Sequence, residues 1–364
     1  MSTARVTDSI SFAYWVPNVS GGLVVSDIEQ TTDWGIDYNR RLARTAEQIG
    51  FDYALTQVRY LGSYGAESQH ESVSFSLALL EATERLRVIA AVHPGLWHPA
   101  VLANLATTAG ELYDGRFALN VVSGWLREEF RKFGEPWLEH DERYRRSAEF
   151  LQVLRAIFSG DHAEFSGDFY RLHDYSVSPR PTTAPELFQG GNSSAAQVNG
   201  GRYADWYFLN GAPVDELADQ IAQVRRHAEK AGRETKIGVN AFVILDDSEA
   251  GAHARLREII DRADRDAVEG FAESVRQAGQ SSSDGKGMWA NSSFEDLVQY
   301  NDGFRTGLIG TAEQITDRIS ELREIGVDLV LTGYLNFQEE LERFGREIIA
   351  PLRASETPVP SPVP

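Results

Sequence analysis

Eight short apolar runs punctuate the chain, and longer amphipathic stretches separate them. The runs are "FAYWV" (12–16), "DYALT" (52–56), "RVIAAV" (87–92), "FALNVV" (117–122), "ELFQ" (186–189), "DWYFLN" (205–210), "IGVNAFVIL" (237–245) and "VDLVLTG" (327–333). They are near-continuously apolar, as a parallel strand covered on both faces must be. Between them, 37–50 places Leu42, Ala43, Ala46 and Ile49 on one helical face and ends in Gly50. The stretch 99–115 begins with a proline and ends with a glycine, the asymmetry of a helix. Helices are also expected over 143–158, 214–232, 311–326 (with Thr311 and Gln314 as a capping box) and 338–352. Eight strands alternating with helices predict an α/β fold, a (β/α)8 TIM barrel. No G-x-G-x-x-G follows the first strand, which weakens the doubly wound alternative.

Two stretches exceed one helix per strand, so insertions are expected after strands 4 and 7. Residues 159–185 read as an excursion with a hairpin around "FSGDFYRL". Residues 246–310 read as a helical pair plus the polar loop "AGQSSSDGKG" (278–287). A connection this long is usually functional or disordered. The barrel domain is expected over 10–353, with a disordered Pro-rich tail over 354–364.

Composition narrows the chemistry. The chain of 364 residues holds 35 Lys and Arg against 54 Asp and Glu, a formal net charge of -19. That surface disfavours nucleic acid and anionic membranes. With no cysteine, thiolate nucleophiles and Cys-ligated metals are excluded. No run approaches the roughly 18 apolar residues of a membrane span, and the N-terminus lacks a signal-peptide core. A cytoplasmic location is expected.

In a barrel the active site lies where strands end. Here the strand ends carry aromatics, glycines and neutral amides, and few convergent carboxylates. His93 and His98 fall on a proline-bounded loop, and no H-E-x-x-H or D-x-D-x-D-G pattern exists, so no metal is expected. No G-x-S-x-G elbow supports a serine hydrolase. Glu128 and Glu129 are neighbours on a helix and face apart, which does not make a glycosidase pair. An aldolase or phosphosugar isomerase barrel lacks its lysine or carboxylate pair. The best ligand signal is "ELFQGGNSSAAQ" (186–197). Gly190 and Gly191 allow close approach, Ser193 and Ser194 add hydroxyls, and the following helix offers free N–H groups to a phosphate. An ordinary turn with an N-cap serine is the alternative. In "HDERYRR" (140–146), His140, Arg143 and Tyr144 could meet an anion or simply begin a helix.

Taken together, "FAYWVPNVSGGLVVSDIEQTTDWGIDYNRRLA", "NVVSGW", "WLEHDERYRRSAEF", "ELFQGGNSSAA", "KIGVNAFVI", "FEDLVQYNDGF", "LIGT" and "GVDLVLTGYLNFQEE" resemble the bacterial luciferase-like flavin monooxygenases. The likeness covers about residues 10–353 and is strongest toward the sulfone-cleaving branch, relatives of the alkanesulfonate monooxygenases. It implies reduced FMN (FMNH2) at the barrel mouth, supplied by a separate NAD(P)H-dependent flavin reductase, with O2 as co-substrate. The implied reaction cleaves a C–S bond of dimethylsulfone to methanesulfinate and formaldehyde, in sulfur assimilation. Homodimers or homotetramers are implied. Rival readings are an alkanesulfonate monooxygenase, an F420-dependent oxidoreductase of the same fold, and a non-catalytic flavin-binding barrel.

The resemblance also assigns residues. Gln57, Asn120, Ser123, His140, Tyr144, Gly191, Ser193 and Ser194 would hold the flavin. Trp15, Trp125, Asn240, Phe242 and Tyr334 would form the substrate pocket. Asn301 and Arg305 would belong to a lid within 280–306, flexible at Gly279, Gly285, Gly287 and Gly303. The alkanesulfonate enzymes have Arg and His where Asn240 and Phe242 stand, and Trp where Asn210 stands. Arg suits a sulfonate anion. A neutral sulfone would leave such a charge buried and unpaired, so the neutral residues favour a sulfone.

Overall fold

A computed structural model describes residues 9–356 except 281 and 288. The described residues form twelve strands: β1 (Ser11–Val16), β2 (Tyr53–Thr56), β3 (Arg87–Val92), β4 (Phe117–Val121), β5 (Ala163–Ser166), β6 (Arg171–Tyr175), β7 (Leu187–Gly190), β8 (Trp206–Leu209), β9 (Lys236–Phe242), β10 (Ile244–Leu245), β11 (Ile309–Gly310) and β12 (Leu329–Gly333). Eight of them close a parallel barrel in the order β1-β12-β9-β8-β7-β4-β3-β2. Each of the eight apolar runs supplies one of its strands, so the (β/α)8 expectation holds. The hairpin β5–β6 forms where "FSGDFYRL" places it. Strands β10 and β11 pair side by side and bracket the insertion that follows β9.

Local chemistry explains the elements. Helix Ile36–Ile49 buries Leu42, Ala43 and Ala46 and stops at Gly50, whose φ of 100° is left-handed. Helix Pro99–Leu112 has Pro at its start, and the His98 side chain accepts from the Ala100 N–H. Thr311 and Gln314 cap helix Ala312–Glu324 reciprocally, as read from sequence. Helix Ser72–Glu81 was not expected. It buries Val73, Phe75, Leu79 and Leu80 together with Ser72 and Ser76, so it shows no polar face for periodicity to detect. The polar loop begins later than the sequence suggested, because helix Arg265–Gln280 includes Gly279. The chain also stays helical through Glu356, beyond the expected start of the tail at 354. Residues 357–364 lie outside the described part.

Strand alternation decides what faces the barrel axis. Ala13, Tyr53, Leu55, Ile89, Ala118, Phe188, Trp206, Phe208, Leu329 and Leu331 form the inner core. At its lower end Glu186 accepts hydrogen bonds from Tyr53 (2.9 Å), Trp206 (2.9 Å) and Arg87 (2.7 Å). The upper end stays open, and there the same alternation continues into polar side chains.

Candidate active site

One step further along the strands, the inward positions are Trp15, Gln57, Ala91, Asn120, Asn210 and Asn240. With Leu331 they floor a cavity at the C-terminal ends of the strands. Register carries this layer around the barrel: Leu331 lies beside Asn240, and Ala91 beside Asn120. The floor is therefore a product of strand parity.

Two sides differ. Toward β2–β4 the wall includes Gln57, Asn120, Ser123, His140 and Tyr144, all named from sequence. Gln57 Nε2 and Asn120 Oδ1 are buried and have no hydrogen-bond partner. Such orphans are costly unless a ligand satisfies them. Asn18 and Gln69 hold the Gln57 main chain in place. The ring of His140 packs on Tyr144 at 4.9 Å, and its Nδ1 lies 2.8 Å from Asp141. Burial lowers the His140 pKa against the opposing pull of Asp141. Beside it, Arg143 is buried in the cavity wall, its guanidinium 4.1 Å from the Trp137 ring centre and its Nη1 donating to the Leu138 carbonyl at 2.9 Å.

Toward β1, β8, β9 and β12, Trp15 Nε1 donates to Asn240 Oδ1 at 2.6 Å, and Asn240 Nδ2 donates to the Asn301 carbonyl at 2.8 Å. The roof is aromatic. Trp125, Phe271, Trp289 and Tyr300 pack edge to face, and the Arg59 guanidinium lies 5.3 Å from Trp125 and 5.0 Å from Tyr300. Trp289 donates to the Tyr300 carbonyl at 2.7 Å. Trp289, Tyr300 and Asn301, from the segment expected as a lid, line the cavity.

Four expectations need correction. Tyr334 does not reach the cavity. It is one residue out of step with inward Leu329, Leu331 and Gly333, and it packs outward against Phe337 and Phe344 at 5.5 and 6.0 Å. Phe242 has the inward parity, but Phe304 covers it at 5.1 Å and it is wholly buried above the cavity. Arg305 turns outward to Glu216 at 3.1 Å, with Asp296 4.0 Å away. Gly303 is a close-packing glycine, since a Cβ there would lie 2.8 Å from Gln299 Oε1 and from the Phe242 nitrogen. It is no hinge on that account.

The loop 190–194 has the expected build but sits outside the cavity wall beyond Gly190. Gly191 has φ 144° and its carbonyl accepts from the Tyr207 hydroxyl. Ser193 caps helix Ser194–Tyr203 by accepting from the Ala196 N–H at 3.3 Å. The Ser194 N–H donates to a side chain, Asp284 Oδ2, at 2.8 Å. Burial opposes ionisation of Asp284, yet hydrogen bonds from Ser194 and Lys286 hold its carboxyl down at about 2. A carboxylate of this chain therefore occupies the start of the helix proposed for a phosphate.

Sequence reasoning missed Arg59, Phe271, Trp289 and Tyr300. For Arg59 the signal existed: it stands two residues beyond Gln57, on the same side of the chain. Glu128 and Glu129 do face apart, with Glu128 exposed to Arg131 and Glu129 buried. Glu129 Oε1 accepts from the Tyr60 and Leu61 N–H groups at 2.5 and 3.3 Å, which fixes the strand end that carries Gln57 and Arg59. Glu129→Ala is expected to cost about 2 kcal/mol of stability, the value of hydrogen bonds to a buried charge, as measured by chemical denaturation. His93 and His98 do separate jobs: His93 Nδ1 lies 2.9 Å from the Val122 carbonyl, and His98 caps a helix. No helix of the described residues is long and apolar enough to cross a membrane.

The sequence from residue 10 to 329 matches the luciferase-like monooxygenase family, and the chain belongs to it. Within that class it is 57% identical over 348 residues to the FMNH2-dependent dimethylsulfone monooxygenase of Pseudomonas fluorescens (strain Pf0-1), covering 96% of both chains. It is 56% identical over 353 residues to the enzyme of the same name from Pseudomonas putida, covering 96% of this chain and 97% of that one. Among solved structures, riboflavin lyase (RcaE) with modified FMN and riboflavin superposes with a TM-score of 0.84 at 19% identity, over 96% of this chain and 93% of that one. This last likeness concerns the fold.

Proposed function

We propose that the chain is a two-component FMNH2-dependent monooxygenase that cleaves dimethylsulfone, with a separate flavin reductase delivering the reduced cofactor. The observation that carries the reading is the pair of orphaned buried groups, Gln57 Nε2 and Asn120 Oδ1. One is a donor and the other an acceptor. The pyrimidine edge of an isoalloxazine ring offers carbonyl oxygens and an N–H, so it satisfies both. The 57% identity to a dimethylsulfone monooxygenase supports the substrate. Bound reduced FMN would supply the electrons that activate O2.

The protein's own part is binding and exclusion of water. Gln57 and Asn120 would orient the ring, Ser123, His140 and Tyr144 would line the path of its side chain, and Arg143 with the 191–194 loop would meet the phosphate. The Trp125, Phe271, Trp289 and Tyr300 roof keeps water from the reaction. Across the cavity, Trp15, Leu331 and Phe208 suit two methyl groups, while Asn210, Asn240 and Asn301 present amides without charge. Overall, dimethylsulfone, O2 and FMNH2 give methanesulfinate, formaldehyde, FMN and water. The reading includes a homodimer or homotetramer, which light scattering checks.

The test couples the protein to a flavin reductase and NADH, with catalase present to remove free peroxide. Formaldehyde is expected from dimethylsulfone and not from methanesulfonate or longer sulfonates. Formaldehyde or aldehyde from sulfonates alone would move the protein to the alkanesulfonate class. Failure to bind FMNH2 would favour the F420-dependent reading.

A further inference from the structure

The substrate side of the cavity carries three amides, and they are not equivalent. Asn240 is committed at both ends, to Trp15 and to the Asn301 carbonyl. Asn210 lines the cavity and also meets Asp302, its Nδ2 lying 3.2 Å from Asp302 Oδ2. Asp302 is buried, and its Oδ1 has no hydrogen-bond partner. Its backbone is pinned: φ is 54°, and a Cβ on neighbouring Gly211 would fall 2.0 Å from the Asp302 carbonyl oxygen.

An amide has a donor end and an acceptor end, and whichever end faces Asp302 leaves the other for the cavity. An ionised carboxylate only accepts, so it takes Nδ2 and turns Oδ1 toward the substrate. A neutral acid can donate its O–H to Oδ1, which turns Nδ2 toward the substrate. Sulfonyl oxygens only accept. A cavity that presents Oδ1 opposes them, and one that presents Nδ2 binds them.

We propose that Asp302 is a positioning residue that sets the polarity Asn210 shows to the substrate, and that its neutral form is the sulfone-binding form. The inference rests on the sulfone reading given above. Burial pushes the Asp302 carboxyl up to about 7, and Asp296 adds to the rise, while Ser292, Asn210 and Arg305 oppose it. These groups face it from helix Phe294–Leu297, the 290–293 turn, the end of β8 and the 3-10 turn Gly303–Thr306. The Arg305 charge is shared with Glu216 of helix Val214–Lys230, which leaves the neutral acid accessible near pH 7.

The test is KM and kcat for dimethylsulfone at saturating FMNH2, on either side of pH 7. The native protein is expected to show KM rising about tenfold from one pH unit below 7 to one unit above, as the protonated fraction falls, with kcat changed far less. Asp302→Asn can still donate to Asn210 Oδ1 but does not titrate, and asparagine tolerates the left-handed backbone. Its KM should stay at the low-pH value throughout. Asn210→Ala should raise KM at every pH and abolish the step. FMNH2 affinity within twofold of native shows that each variant is folded. A step that persists in Asp302→Asn, or a KM that falls with pH, overturns the inference. Formaldehyde production with a pH-independent native KM overturns it while leaving the sulfone reading intact. No formaldehyde from the native protein overturns both.

Discussion

Replacing Arg143 with alanine is expected to raise the dissociation constant for FMNH2 by about ten- to a hundredfold. Arg143 is a buried cation in the cavity wall, and its position is set by a stack on Trp137 and a bond to the Leu138 carbonyl. It sits on the first turn of helix His140–Ser159, between His140 and Tyr144. A hydrogen bond from a fixed guanidinium to a phosphate contributes about 1.5–3 kcal/mol, and each 1.4 kcal/mol is tenfold in affinity. Arg143→Lys should recover only part, because an ammonium neither stacks on Trp137 as a plane nor donates in parallel. Anaerobic titration of protein fluorescence reads both. A change below twofold in Arg143→Ala would place the phosphate elsewhere.

Gly191→Ala is expected to destabilise the fold by about 2–6 kcal/mol and to weaken flavin binding with it. At φ 144° an alanine is strained, by about 1–3 kcal/mol. Its Cβ would lie 2.5 Å from the Tyr144 hydroxyl and 2.6 Å from Ala196 Cβ, and overpacking of this kind costs about 1–3 kcal/mol more. Tyr144 is itself in the cavity wall, so relief of the clash would displace a residue assigned to the flavin. Chemical denaturation, compared with Gly134→Ala at a surface position where nothing lies within 4 Å of the new Cβ, separates crowding from backbone strain. Equal losses at the two positions would show that crowding contributes nothing.

What the sequence revealed follows period and locality. The eight barrel strands were legible because burial on both faces makes them apolar from end to end. The capping box at Thr311 and Gln314 was legible because it is a contact three residues long. Parity along a strand was equally available, and it explains both a success and a failure. Asn240 and Trp15 share a layer and meet, whereas Tyr334 lies one residue out of step with Leu331 and points away. Helix Ser72–Glu81 escaped because serines rather than charges interrupt its apolar residues, and two of the three, Ser72 and Ser76, are buried. The roof escaped for another reason. Phe271, Trp289 and Tyr300 come from an insertion whose path over the barrel depends on contacts such as Tyr300 with Tyr64, 236 residues apart. No local pattern encodes such a path. Phe242 failed even though its parity was right, because Phe304 from the same insertion covers it.

The contact between Asp284 and Ser194 has a kinetic consequence. A carboxylate and a phosphate cannot share one helix start, so the anion that arrives must wait for the one in place to leave. With the flavin phosphate at Ser194, as proposed above, flavin uptake is expected to reach a ceiling. At high FMNH2 the observed association rate is expected to level off at the rate of loop release instead of rising in proportion to concentration. Asp284→Ala should lift that ceiling and leave the low-concentration slope the same or steeper. Stopped-flow mixing under anaerobic conditions measures both, and a linear dependence shared by the two proteins would mean that Asp284 stands in nobody's way. With the ceiling present, the traffic of reduced flavin from reductase to oxygenase is timed by the receiver.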